Sequence, residues 1–563
     1  MILKNTILFL SFFIAYTCSH AQPATKQYKK IICNKVAVVS ANPLASNAGM
    51  NILKKGGNAF DAAIATQLAL AVVYPGAGNI GGGGFMVAHA KNGRNITLDY
   101  REKAPARAGR DMYLDTNGNP ILKLSQDGHL AAGVPGTVAG LFATLKYAKL
   151  PFSKLIQPAI DLAEKGFPIT KAQARELNNN RAAFIKLNTS IPAFVKDSSW
   201  EEGDILIQQE LAKTLKRISK YGQKGFYEGE TARFIVEEMQ EGNGIISYED
   251  LKAYKAIERK AIEFDYKDAH IISMALPASG GIMLQQMMKM IEQKNISAMG
   301  FLSPQAVQLM VEVERMAFAD RAEFLGDPDL VKVPVKKLVS QTYLAERMKD
   351  FDATKAGNSH ITKAGIIPES EETTHISIID NEGNAVAVTT TLNGSYGSKT
   401  LVSGAGFLLN NEMDDFSIKT GVPNMYGAVG NEKNAISAGK RMLSSMTPTI
   451  VLKNNRPFMV VGSPGGTTIP TSIFQSLVNI LEFNLSPEAA VNNPKFHHQW
   501  LPDSVFVERT FPQETIRSLE AMGYKIHKRD PIGRTELIII NYKPRKQITA
   551  VADSRGDDSA AGY

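Results

Sequence analysis

The acidic, turn-like segment Pro368-Glu369-Ser370-Glu371-Glu372 ends abruptly at Thr373-Thr374-His375-Ile376-Ser377-Ile378-Ile379-Asp380, whose apolar residues alternate as in a strand. From here on β signals dominate, at 374–380, 384–391, 448–453 and 457–462, whereas the stretch from about 150 to 350 reads mainly as helices. Threonine favours strands in any setting, so an ordinary strand accounts for Thr373. A self-cleaving precursor accounts for it as well. Scission of the Glu372–Thr373 bond would leave an α-amine beside the Thr373 hydroxyl, and such an amine is a base that can activate a threonine nucleophile. The run Ala385 to Asn393 reads as the pairing strand, which would bring Thr391 and Asn393 close to Thr373.

Ahead of this junction, Val36-Ala37-Val38-Val39 reads as a strand, and helices are expected over 43–55, 59–74, 154–165, 210–221, 231–241 and 304–324. Gly56-Gly57 would end the first helix. The second is alanine-rich with Asp61 and Gln67 inside it, which suits a buried helix. The run Gly76 to Gly84 matches the dinucleotide fingerprint in letters but not in context. That fingerprint follows a strand and opens a helix, whereas here a helix precedes and a strand, 85–90, follows. Close backbone packing is the better reason for so many glycines. Residues 353–372 read as an exposed linker. A helix near 469–482 and an αβ unit at 512–543 complete the chain.

With 563 residues, 44% hydrophobic and 21% charged, the chain can bury a large core. Its net charge of +8 is scattered, with no basic stripe interleaved with aromatics, so nucleic acid is not an expected partner. Lys4, the apolar run 7–15 and Ser19-His20-Ala21 form a secretory signal, cleaved before Gln22. The run is too short for a stable membrane span. A lipoprotein signal ending at Cys18 is disfavoured by Tyr16 and Thr17. Signal cleavage would leave Cys33 as a lone cysteine, without an intrachain disulfide. Its apolar surroundings, 31–39, suggest a buried, inert thiol.

Several later motifs carry chemistry. Asn410-Asn411-Glu412-Met413-Asp414-Asp415-Phe416 clusters three carboxylates, as a solvated turn or a metal site would, but it lacks the central glycine of a calcium loop. Lys440 to Met446 follows, then Gly462-Ser463-Pro464-Gly465-Gly466. A glycine pair after a strand can offer backbone N–H groups to an oxyanion, or form a tight turn. His497-His498 has no third ligand at suitable spacing and suggests a structural role. Neither a metal nor an organic cofactor is expected, and there is no G-x-S-x-G, H-E-x-x-H or phosphate-binding loop.

Taken in this order, and together with Gly81 to Met86, Asp99-Tyr100-Arg101-Glu102, Pro135 to Gly140 and Phe496 to Pro502, these motifs resemble γ-glutamyltranspeptidases from about Val36 to Tyr563. The resemblance implies an α+β fold, the four-layer αββα sandwich of N-terminal-nucleophile hydrolases, formed by both fragments of a self-cleaved precursor. It divides the chain into a signal peptide (1–21), a large subunit (22–372) and a small catalytic subunit (373–563), held together as a heterodimer. Thr373 matches the nucleophile, Glu372–Thr373 the processed bond, and Thr391 the threonine whose hydroxyl bonds to the nucleophile. Arg101, helped by Ser444 and Ser445, matches the holder of the donor α-carboxylate, a task suited to a bidentate guanidinium. Asn393, Glu412 and Asp415 match the acceptors of the α-ammonium, which has only donors to offer. Gly465 and Gly466 match the oxyanion hole, and Tyr426 the tip of a covering loop that favours short γ-glutamyl compounds. Glutathione is the implied leading donor, water, amino acids or dipeptides the acceptors, and the periplasm the implied location. Met442, where many relatives have proline, and Thr467-Thr468 depart from the pattern and are expected not to touch the matched contacts. Two rivals remain. A glutaryl β-lactam acylase would not need Arg101 together with Glu412 and Asp415. A noncatalytic binder would not need Thr373 and Thr391.

Overall fold

The computed structural model describes residues 29–359 and 373–563; the expected signal segment, Glu372 and the later part of the expected linker lie outside them. The fold is mixed α/β, built around two seven-stranded sheets whose strands all pair antiparallel. One sheet runs in the order Ser559–Gly562, Ala37–Ser40, Thr374–Ile379, Ala385–Thr391, Gly83–His89, Asn95–Asp99 and Ile257–Arg259. The other runs Lys30–Cys33, Gln547–Val551, Glu536–Asn541, Arg456–Gly462, Thr449–Lys453, Ala269–Ser273 and Ile262–Tyr266.

The strand Thr374–Ile379 is buried on both faces. Period-two geometry sends alternate side chains to opposite faces. Ile376 and Ile378, with Val386, Val388 and Met86 from neighbouring strands, pack with the helices Pro43–Lys54 and Ala59–Val73. Ile379, Ala385, Ala387, Phe85 and Val87 enter the other core, shared with the second sheet and the helices Gly280–Ile291, Pro304–Phe324 and Thr468–Leu481. Each fully buried large aliphatic side chain adds about 1.5–3 kcal/mol relative to exposure.

The helix Ala59–Val73 is buried along its whole length, as its composition suggested. Asn58 and Asp61 form its capping box, and the Asp380 carboxylate accepts from Ala59 N–H at 2.9 Å. The turn that follows the Thr373 strand is thereby fixed to this helix. The glycine run packs as expected. A Cβ on Gly81 would strike the Leu408 carbonyl, and one on Gly82 the carbonyl of Thr391.

Some expectations need correction. The stretch expected to be mainly helical also contains the strands Ile257–Arg259, Ile262–Tyr266 and Ala269–Ser273. Two of them end a sheet, where outward positions such as Glu263 and Asp265 are charged and the alternation is short. The apolar run 31–39 is two strands in different sheets. Cys33 sits on an edge strand and is half-buried, not buried; desolvation still pushes its thiol up to about 11, which keeps it unreactive. The expected linker is anchored at its start. Ser359 is buried, its N–H donating to Asp503 at 3.0 Å, and Gly357 N–H donates to Glu312 at 3.1 Å. Among the described residues, no helix is long and apolar enough to cross a membrane.

Candidate active site

The register Thr374↔Thr390 makes Thr373 and Thr391 the next opposed pair of the hairpin. Their hydroxyls approach to 3.4 Å, Thr373 donating. Thr391 Oγ1 also accepts from Asn393 N–H at 2.8 Å. Asn393 has φ 76°, a left-handed conformation that asparagine tolerates better than most residues, and this turns the chain away as soon as the strand ends. Its side-chain amide then donates to the Asn411 carbonyl at 3.0 Å, joining the hairpin to the carboxylate cluster.

Thr373 lies in a narrow cleft with Thr391, Asn393, Arg101, Glu412, Asp415, Tyr426, Ser444, Ser445 and Gly466. These side chains come from segments scattered over the sequence, and the fold brings them together. Glu372 lies outside the described residues. Gly465 precedes Gly466 at the start of the helix Thr468–Leu481. Their φ values of 134° and 53° lie where glycine is strongly favoured. Among the described residues neither glycine N–H donates to another group. They stand at a helix N-terminus, where peptide dipoles favour negative charge.

The charged groups meet in a way that the motifs did not reveal. Arg101 is 1% exposed, and its Nη1 lies 2.5 Å from Glu412 while its Nη2 pairs with Asp415. The residues assigned to the two ends of a zwitterion pair with each other. Burial, partly offset by Arg101, pushes the Glu412 carboxyl well above its ordinary range. Behind Arg101, Glu102 is fully buried and its carboxylate oxygens have no hydrogen-bond partner; burial raises it too. Of the three clustered carboxylates, Asp414 serves another purpose. It accepts from Met425 N–H at 2.8 Å and from Ser125, and so holds the loop over the cleft. Asp415 accepts from Asn424 of the same loop at 2.9 Å. Tyr426 donates its hydroxyl to the Asn393 carbonyl, and its ring covers Gly466.

Both departures from the motif pattern touch the site, contrary to expectation. The Met442 carbonyl accepts from Arg101 Nε at 3.3 Å, while its side chain is buried in a small apolar cluster with Met413 and Phe416. Thr467 donates to Gln499 at 2.5 Å, and Gln499 donates to the Tyr426 carbonyl at 3.3 Å. Two cleft-side residues escaped the motifs altogether. Ser279 donates N–H and hydroxyl to the Ser444 carbonyl, each at 2.7 Å. Arg321, on the helix Pro304–Phe324, lines the cleft and donates to Ser445 Oγ at 3.4 Å. In a stretch as charged as Glu312 to Glu323, one arginine reads as solvated. His497, by contrast, is the structural residue expected, bonded to Thr471 and Gln499.

The family model for gamma-glutamyltranspeptidase matches residues 45–563. The chain belongs to the gamma-glutamyltranspeptidase family. Membership makes it an enzyme of γ-glutamyl transfer and hydrolysis, with the threonine nucleophile standard for gamma-glutamyltranspeptidases. It is 45% identical to a glutathione hydrolase proenzyme of Escherichia coli, over 93% of this chain and 91% of that protein. A crystal structure of Helicobacter pylori gamma-glutamyltranspeptidase shares 46% identity, with a TM-score of 0.55 over 56% of this chain and 92% of that chain. Cephalosporin acylase from Bacillus halodurans superposes with a TM-score of 0.83 over 97% of this chain and 98% of that chain. At 24% identity that likeness speaks for the fold alone. Gamma-glutamyltranspeptidase and acylase thus share one architecture, and the contents of the cleft must separate them.

Proposed function

We propose that the chain is exported by its N-terminal signal to the periplasm and cuts itself at Glu372–Thr373 into residues 22–372 and 373–563. On this reading the fragments stay together as one αββα sandwich of the N-terminal-nucleophile type. The mature enzyme acts on glutathione and other γ-glutamyl compounds.

The reading rests above all on one observation: Thr373 lines a charge-paired cleft, its hydroxyl 3.4 Å from that of Thr391. The Thr373 hydroxyl attacks the γ-amide carbonyl while its own α-amine takes the proton. The oxyanion is held by the N–H groups near Gly465 and Gly466. The protonated amine then gives its proton to the leaving amine, and a γ-glutamyl-threonine ester remains. Water releases glutamate from the ester; an amino acid or dipeptide forms a new γ-glutamyl amide.

Donor recognition is an exchange of partners. The donor α-carboxylate takes Arg101, Ser444 and Ser445, and its α-ammonium takes Glu412, Asp415 and Asn393. Each charge released from the Arg101 cluster is paired again. A buried pair that loses one partner costs about 3–5 kcal/mol, so a donor bearing only one of the two charges is disfavoured.

Comparison of γ-glutamyl-p-nitroanilide with glutaryl-p-nitroanilide tests this. We expect kcat/KM for the glutaryl donor to be lower by several powers of ten, roughly as when a site built for a hydrogen-bonding group meets an analogue lacking it. Equal turnover would favour the acylase reading. Turnover of neither, with tight γ-glutamyl binding, would favour the noncatalytic one.

A further inference from the structure

We propose that Arg321 is a positioning residue for the donor α-carboxylate: it sets the serine pair and keeps that end of the cleft positive. The inference rests on the γ-glutamyl reading and deepens it.

Two buried arginines face the cleft, and their situations differ. Arg101 is shared among carboxylates, with Glu412 and Asp415 in direct contact. Arg321 has no carboxylate within 4.0 Å among the described residues. Its partners are neutral hydroxyls: Ser279 Oγ accepts from Nε at 3.2 Å and Ser445 Oγ accepts from Nη2 at 3.4 Å. Ser279 in turn donates to the Ser444 carbonyl. One guanidinium therefore reaches both serines, directly at Ser445 and through Ser279 at Ser444.

A buried cation without a counter-ion is expensive. Desolvation, against the opposing charge of Asp415 and with the help of the neighbouring Arg101, draws the Arg321 guanidinium down to about 10. The cost is recovered when an anion arrives. Arg101 is already engaged by Glu412 and Asp415, whereas Arg321 meets only hydroxyls, so it is the cation left to face an incoming α-carboxylate. Loss of Arg321 removes that positive charge from the end of the cleft where the α-carboxylate sits.

The serine contact also fixes direction. With Nη2 donating to Ser445 Oγ, the serine hydroxyl hydrogen is free to point at the donor. Glutamine in place of arginine removes the charge, and lysine keeps the charge but lacks the planar fork.

The test uses the processed enzyme and two donors, γ-glutamyl-p-nitroanilide and 4-aminobutyryl-p-nitroanilide, which keeps an amine but has no carboxylate. For Arg321→Gln we expect KM for the γ-glutamyl donor to rise at least tenfold, with kcat within threefold and kcat/KM for the 4-aminobutyryl donor unchanged. Arg321→Lys should recover part of the KM. Ser445→Ala should raise KM in the wild type and add little in Arg321→Gln. Equal losses with both donors, or an unchanged KM, would mean that Arg321 only supports the fold and would overturn the proposal. If Arg321→Gln does not process, the same comparison on Arg321→Lys decides: an unchanged donor ratio overturns the proposal, and a lowered one supports it. Failure of the γ-glutamyl reading would look different, because the wild type itself would not prefer the donor that carries the α-carboxylate.

Discussion

Arg101 shows how much a single side chain can depend on its partners. Its guanidinium is buried, and it supplies the contact that makes the buried Glu412 carboxylate and the partly buried Asp415 tolerable together. Arg101→Gln should therefore damage the packing of the site as well as donor binding. We expect the donor KM to rise by a factor of ten or more, and unfolding stability to fall by about 3–5 kcal/mol, because Glu412 and Asp415 lose their cation. Titration with γ-glutamyl-p-nitroanilide and urea denaturation measure the two effects. Gly466 makes a contrasting prediction. A Cβ there would lie 2.6 Å from the Tyr426 ring, at a φ of 53°. Gly466→Ala should lower kcat strongly; the double variant with Tyr426→Ala, which removes the clash but not the backbone strain, should recover part of the loss. Recovery of none would show that the ring is not the obstacle. These residues were legible unequally. Thr373, Thr391 and the glycine pair stand in local patterns of strand and turn. The contact of Arg101 with Glu412 spans more than three hundred positions, and Arg321 sits in a charged helical stretch whose burial no local pattern announces.

At the scale of elements, the hairpin from Thr373 to Thr391 works as a ruler. Its pairing brings the two hydroxyls opposite each other, and a slip by one residue would send Thr391 to the other face. The turn that sets this register is held by Asp380, whose carboxylate accepts from Glu382 N–H, Asn384 N–H and Ala59 N–H, all at 2.9 Å. Asp380→Ala should cost about 1.5–3 kcal/mol for loss of charge-assisted bonds, and should slow appearance of the two fragments on denaturing gels. Unchanged processing would show that the sheet alone sets the register. The alternation after Thr373 made this hairpin readable. The strands at 257–273 were not, because Ile257–Arg259 and Ile262–Tyr266 lie at sheet ends with charged outward residues, where sequence resembles an amphipathic helix or loop.

For the whole molecule, buried titratable groups make stability respond to pH in opposite senses. Desolvation lowers His375 to about 3, far below its ordinary 6.5. The unfolded chain binds that proton and the folded one does not, so its contribution is complete above pH 6.5 and is lost as pH falls toward 3, by about 1.4 kcal/mol per pH unit. Glu314 behaves in reverse. Burial raises it well above 4.5, so the stability it allows is present below pH 4.5 and lost as pH rises. Urea denaturation from pH 4.5 to 8 should therefore give a shallower acid loss for His375→Gln and a shallower alkaline loss for Glu314→Gln than for the parent. Parallel curves would mean that neither group stays buried in the form assigned to it.

The strand Ala37–Ser40 lies between Thr374–Ile379 on one side and Ser559–Gly562 on the other. While the backbone is continuous, gathering these three strands is an event within one molecule, and its rate does not depend on dilution. After a cut before Thr373, the middle strand belongs to one polypeptide and both its neighbours to another. Recovery from complete denaturation then requires two molecules to meet, and the advantage of an internal effective concentration is gone. Thr373→Ala should refold with first-order kinetics at any protein concentration, whereas the cut enzyme should regain activity in a yield that falls on dilution. Hydrolysis of one bond thus changes the molecularity of folding: the native state is reached easily once, from the intact chain, and only by collision thereafter.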